Sequence, residues 1–88
     1  MRYSVKYKKS AEKKLNKLDP PVREKIKKWV EKNLEGCENP RHTGKPLEGD
    51  WYGYWRYRVG NYRLVAQIVD SEIIIFIVNV DKGNDIYK

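Results

Sequence analysis

Tyr3, Val5 and Tyr7 alternate with Ser4 and Lys6 near the start of the chain, the period of a strand with one buried face. Ser10 is placed to cap a helix. Ala11, Leu15 and Leu18 then recur at offsets of four and three, so they line one stripe of that helix, while Lys13, Lys14 and Lys17 take its other side. Asp19-Pro20-Pro21 ends this helix and starts another: Asp19 suits an N-cap, and Pro20 suits the first helical position, where its missing N–H costs nothing. Val22, Ile26, Trp29, Val30 and Leu34 keep helical spacing afterwards. Gly36 is placed to stop the helix in a left-handed conformation, before the loop Cys37-Glu38-Asn39-Pro40. The two helices are expected to form an antiparallel hairpin.

From Tyr54 onward the period changes to two, and residues 54–59, 62–70 and 73–80 are each long enough for a strand. Gly60-Asn61 reads as a two-residue hairpin loop and Asp70-Ser71-Glu72 as a second reversal. The predicted order is βααβββ. It gives an α+β fold with an antiparallel sheet of about four strands, the N-terminal strand among them, and the helical hairpin packed on one face.

The chain has 88 residues, too few for two independent cores, so residues 1–88 are expected to form one domain. Three Trp, seven Tyr and one Phe supply much of the bulk of its core. The longest apolar run, residues 73–78, is far shorter than the about 20 residues of a membrane span. The charged, alternating N-terminus lacks the apolar stretch of a secretory signal. Cys37 is the only cysteine and cannot form an internal disulfide. A soluble, cytoplasmic protein with no membrane association is therefore expected.

Nineteen Lys and Arg against 12 Asp and Glu leave a net charge of +7, which points to a polyanionic partner. Most lysines fall on the polar sides of the helices, where they read as ordinary solubilising residues. The arginines of the first hairpin are different. If Gly60-Asn61 is the whole loop, Val59 pairs with Tyr62, Arg58 with Arg63, Tyr57 with Leu64, Arg56 with Val65 and Trp55 with Ala66. One face then carries Trp55, Tyr57, Val59, Tyr62, Leu64, Ala66 and Ile68, and the other carries Arg56, Arg58 and Arg63. Directly opposed like charges destabilise a strand pair unless an anion binds between them. Guanidinium groups hold phosphate through paired donors, and Trp51, Tyr52 and Tyr54 are placed to stack on unpaired bases. Single-stranded RNA or another polyanion fits this set.

Other chemistry has little support. His42 and Cys37 are single residues of their types, which argues against a His/Cys metal site or a Cys-His nucleophile pair. The segment Gly44-Lys45-Pro46-Leu47-Glu48-Gly49 lacks the phosphate-loop pattern and precedes a strand. No metal and no small-molecule cofactor is expected.

Over essentially its whole length the chain resembles the RelE/ParE toxin superfamily, specifically its RelE-like members. The resemblance is carried by Pro40-Arg41-His42-Thr43-Gly44-Lys45-Pro46-Leu47, by Trp55-Arg56-Tyr57-Arg58-Val59-Gly60-Asn61-Tyr62-Arg63-Leu64-Val65 and by Asp85-Ile86-Tyr87. It implies the toxin of a type II toxin–antitoxin pair, a ribosome-dependent mRNA endonuclease that inhibits translation. The implied partners are a cognate antitoxin protein, the ribosome and mRNA in the decoding site. The implied chemistry is metal-independent attack of a ribose 2′-hydroxyl on the adjacent phosphate. By position Arg56, Arg58, Arg63 and Tyr87 match the catalytic residues. Lys45 and Lys82, with Trp51, Tyr52 and Tyr54, are the expected RNA-binding residues.

Where similar proteins carry a basic run before the final Asp-Ile-Tyr, this chain reads Asp81-Lys82-Gly83-Asn84. If the absent arginine supplies transition-state charge, its loss costs about 2–4 kcal/mol, by analogy with an oxyanion donor. The resemblance also leaves two alternatives: a ParE-like inhibitor of DNA gyrase, or a weakened RelE-like protein that binds antitoxin or ribosome without efficient cleavage.

Overall fold

In the computed structural model of the protein, residues 1–83 are described. The elements are β1 (Ser4–Tyr7), α1 (Lys9–Asn16), α2 (Pro20–Asn33), β2 (Lys45–Pro46), β3 (Trp55–Val59), β4 (Tyr62–Val69) and β5 (Ile74–Lys82), with short 3-10 turns at Gly49–Trp51 and Asp70–Glu72. The strands make one sheet in the order β1-β5-β4-β3-β2.

Two features of the sheet differ from expectation. Among the described residues it has five strands, because Lys45 and Pro46 pair with Arg56 and Trp55 as a short antiparallel edge. It is also mixed, since β1 runs parallel to β5. A tight turn forces consecutive strands to be antiparallel. No turn joins β1 to β5, so its direction is set by the intervening helices and strands.

The helices begin where the backbone hands them over. Lys8 N–H donates to the Ile77 carbonyl at the end of the β1–β5 ladder, and the Lys8 carbonyl accepts from Glu12. Lys8 is therefore the N-cap, and Ser10, expected to cap, lies inside the first turn. Asp19 holds the N-cap of α2 with Pro20 following, without a side-chain capping bond. Gly36 has φ +77°, the left-handed conformation expected of it.

Ala11 and Leu15 of α1 and Ile26, Val30 and Leu34 near α2 pack on Tyr57, Val59, Leu64, Ala66, Ile75, Ile77 and Val80. Each fully buried Leu or Ile there contributes about 1.5–3 kcal/mol. The β3–β4 register is the expected one at all five pairs, from Trp55–Ala66 to Val59–Tyr62. The strand expected at 73–80 is β5 and starts one residue later, because Ile73 closes the Asp70–Glu72 turn at φ 56°.

In the β4–β5 ladder Val65 faces Asn79 and Ala66 faces Ile77, so Val78 is an inserted residue. Such a bulge reverses the alternation of faces. Ile75, Ile77 and Val80 stay in the core, while Asn79 and Asp81 turn to the open face of the sheet, where they pair with Val65 and Arg63.

Candidate functional site

Residues directly opposed in an antiparallel ladder share a face. The open face is therefore built in rows. Lys45, Arg56, Val65 and Asn79 form one row, and Arg58, Arg63 and Asp81 the next. A cleft of about 350 Å³ over these rows is lined by Thr43, Gly44, Lys45, Arg56, Tyr57, Arg58 and Arg63.

The three arginines differ in exposure. Arg58 is exposed and Arg56 half-buried, whereas Arg63 is only 3% exposed. Burial pushes the Arg63 guanidinium below its ordinary pKa, and the charges of Arg56 and Arg58 push it in the same direction. Gly83 closes the far side: its N–H donates to the Asn61 carbonyl at 2.7 Å, and a β-carbon there would stand 3.3 Å from Arg63 Nε.

The near wall is the segment leading into β2, held at three points. The Tyr57 hydroxyl donates to the Pro40 carbonyl, and its burial raises the Tyr57 pKa, keeping the phenol a donor. Trp55 Nε1 donates to the Thr43 carbonyl at 2.7 Å. Arg41 grips Asp70 through two hydrogen bonds of 3.1 and 2.9 Å, and Tyr3 donates to the same carboxylate at 2.7 Å. Gly44 (φ +81°) lets this wall close on the sheet, since a β-carbon there would collide with the Arg56 carbonyl oxygen.

A second depression of about 200 Å³ adjoins the cleft, lined by Leu47, Trp51, Arg56, Arg63, Val65, Asn79 and Asp81. Asn79 donates to Asp81 at 2.6 Å, and Lys14 reaches both residues at 2.9 and 3.3 Å. An acid thus stands across the ladder from Arg63, which makes the row of charges basic on β3 and β4 and acidic on β5.

Arg56, Arg58, Arg63 and Lys45 come together in one cleft. Trp51, 46% exposed, borders the second depression and meets Tyr54 edge-on at 5.5 Å. Tyr52 is 84% exposed and lines neither cavity. Lys82 stands apart from the cleft, beside Asn61, Gly83 and the outer side of Arg58. Tyr87 and Asn84 lie outside the described residues. The sequence reading missed Thr43 and Gly44 as cleft wall, and Leu47, Val65 and Asn79 as lining of the second depression. The positive-φ glycine before Lys45 was a usable signal. The placement of Asn79 and Asp81 needed the bulge.

Residues 5–87 match the family model described as the ParE toxin of the type II toxin-antitoxin system parDE. The chain is 36% identical to the mRNA interferase toxin RelE of Escherichia coli K12 over 93% of its own length and 84% of that protein's. It is 32% identical to the toxin RelG of Mycobacterium tuberculosis, covering 100% of this chain and 99% of that one. Its fold superposes on a chain in the crystal structure of the toxin–antitoxin complex RelBE2 of Mycobacterium tuberculosis with a TM-score of 0.83 and 29% identity, over 93% of this chain and 99% of the other.

Proposed function

The chain belongs to the RelE/ParE family of type II toxin–antitoxin toxins, and we propose that it is a RelE-like endoribonuclease that cuts mRNA on the ribosome without a metal ion. The observation that carries this reading is the Arg58–Arg63 cross-strand pair with Arg56 one row away, in a cleft walled by Lys45. Opposed like charges cost stability in a sheet, and a bound phosphate offsets that cost.

In this reading the ribose 2′-hydroxyl attacks the adjacent phosphorus, the bond to the 5′-oxygen breaks, and the products are a 2′,3′-cyclic phosphate and a 5′-hydroxyl. Arg63 and Arg58 clamp the scissile phosphate and stabilise the charge that builds on its oxygens. Arg56 holds a neighbouring phosphate, and Trp51 with Tyr54 offers a stacking surface. The rigid wall at Gly44 sets where the ribose sits, the alignment on which an in-line displacement depends. An arginine does not give up its proton, so general-base duty falls to Tyr87, Lys45 or the ribosome, Lys82 standing apart from the cleft. A cognate antitoxin is the partner that neutralises the cleft; two of the structures this fold resembles are toxin–antitoxin complexes.

The test is primer extension on a reporter mRNA in a purified translation system. Discrete cuts that need ribosomes and fall by about 10²–10³ in Arg63→Ala are expected. Absence of cuts alongside inhibited supercoiling by DNA gyrase would instead favour the ParE branch named by the matching family model.

A further inference from the structure

β1 stops well short of the end of β5. Its last paired residue, Tyr7, faces Ile77, and the Lys8 N–H takes the Ile77 carbonyl before the chain turns into α1. Beyond Ile77, β5 is laddered to β4 alone among the described residues, and α1 packs against it with Ala11 and Leu15 in the core. Asn79 and Asp81 face the other way, onto the open side of the sheet. Lys14, in the last turn of α1, still reaches both of them, so its side chain passes round the edge that β1 leaves.

The Lys14 ammonium donates to Asn79 Oδ1 at 2.9 Å and to Asp81 Oδ1 at 3.3 Å. The Val80 N–H donates to the same Asn79 oxygen at 3.0 Å. With its oxygen taken by two donors, the Asn79 amide turns its NH₂ to Asp81 and donates to Oδ2 at 2.6 Å. Both carboxylate oxygens are thereby held towards Lys14. As a source of stability this ion pair counts for little, because both side chains are more than a third exposed. What it fixes is the place of a negative charge.

That place bears on Arg63. Asp81 is the direct partner of Arg63 across the β4–β5 ladder, and opposed side chains are the nearest neighbours on a sheet face, with β-carbons about 4.5–5.5 Å apart. Both residues line the same depression. Arg63 is buried, and opposite charges attract more strongly away from water. A carboxylate released by Lys14 has a guanidinium directly across the ladder, and in turning to it would take up donors that a phosphate needs.

We propose that Lys14 is a positioning residue for Arg63: it holds the Asp81 carboxylate at the edge of the sheet and so keeps it from competing with phosphate for the guanidinium. The role of Arg63 as a phosphate clamp comes from the endoribonuclease reading, on which this inference rests. Lys14 itself touches no substrate and acts through Asp81.

The test compares the whole toxin with Lys14→Met, Lys14→Arg, Asp81→Asn and the double variant Lys14→Met/Asp81→Asn, with circular dichroism as the check on folding. Two quantities are read: ribosome-dependent cutting of a reporter mRNA, and binding of a short 2′-O-methyl RNA, which lacks the attacking hydroxyl. Lys14→Met removes the cation and keeps the length of the side chain, and it should lower both by about 10-fold or more, the worth of a hydrogen bond to a charged group. Lys14→Arg keeps the charge and should stay near wild type. Asp81→Asn and the double variant should bind and cut at least as well as wild type, because the amide carries no charge to compete with phosphate. If Lys14 were only a structural tie, the double variant would be no better than Lys14→Met, and that absence of rescue overturns the proposal. So does an unchanged Lys14→Met, or a loss of both readouts in Asp81→Asn, which would make the carboxylate itself part of the machinery. A wild type that binds the RNA but never cuts sinks the endoribonuclease reading alone, and the binding series still decides the role of Lys14. A wild type that neither binds nor cuts overturns both.

Discussion

Arg58 and Arg63 face each other across β3 and β4 but do different structural work. Arg63 is packed beneath Gly83 and buried, so its removal also leaves a hole. Arg58 is exposed and adds mainly charge. Arg58→Gln therefore separates function from fold: ribosome-dependent cutting falls by about 10²-fold or more, while thermal unfolding shows stability unchanged or raised by up to about 1 kcal/mol, because a like-charged cross-strand pair is relieved. A variant that lost stability and activity together would show the pair to be structural. The opposition of these two side chains was legible from the sequence, since a two-residue loop leaves one register. The burial of Arg63 was not, because it depends on β5 and Gly83, whose placement over Arg63 is settled only when the bulged β4–β5 ladder forms.

Among the elements, the segment into β2 is the least autonomous and the most consequential for the cleft. Two paired residues make a strand too short to persist alone. It stays in place through Tyr57, Trp55 and the close approach at Gly44. Gly44→Ala meets both a left-handed backbone and the Arg56 carbonyl in its way, so it is expected to cost about 1–3 kcal/mol and to lower the melting temperature by several degrees. Because Trp55 bonds to Thr43, its fluorescence should shift in the same variant. An unperturbed Trp55 signal and melting temperature would mean the wall does not depend on this glycine. This strand escaped sequence reading for a physical reason: Lys45 and Pro46 have no alternating pattern of their own and become a strand only when β3 offers its edge.

At the scale of the molecule, Asp70 joins three distant parts: Tyr3 beside β1, Arg41 in the segment after α2, and the turn between β4 and β5. Hydrogen bonds from Arg41 and Tyr3 hold its carboxyl below the usual carboxylate range. A depressed folded pKa gives stability that is complete above the unfolded value, about 3.9, and is lost as pH falls through the folded one. Arg41 and Asp70 are about half exposed, so solvent screening keeps the whole effect within about 1 kcal/mol. Asp70→Asn should therefore be less stable than wild type by up to that amount at neutral pH, and denaturant titrations should converge once the pH drops well below 4. A difference that persisted there would have another origin.

By itself the sequence determined the two helices, the β3–β4 register, the core stripe and the clustering of Arg56, Arg58 and Arg63. All of these follow from local periodicity, one glycine-containing turn and the alternation of side chains along a strand. Only the tertiary structure decided that β1 lies parallel to β5, that Val78 bulges so that Asp81 stands beside Arg63, and that Lys14 of α1 reaches Asp81. The first and the last depend on contacts between segments far apart in the chain, and the bulge on how β5 meets both β4 and the core. Their cost in chain entropy is met by the whole core at once, so no short stretch of residues carries their signature.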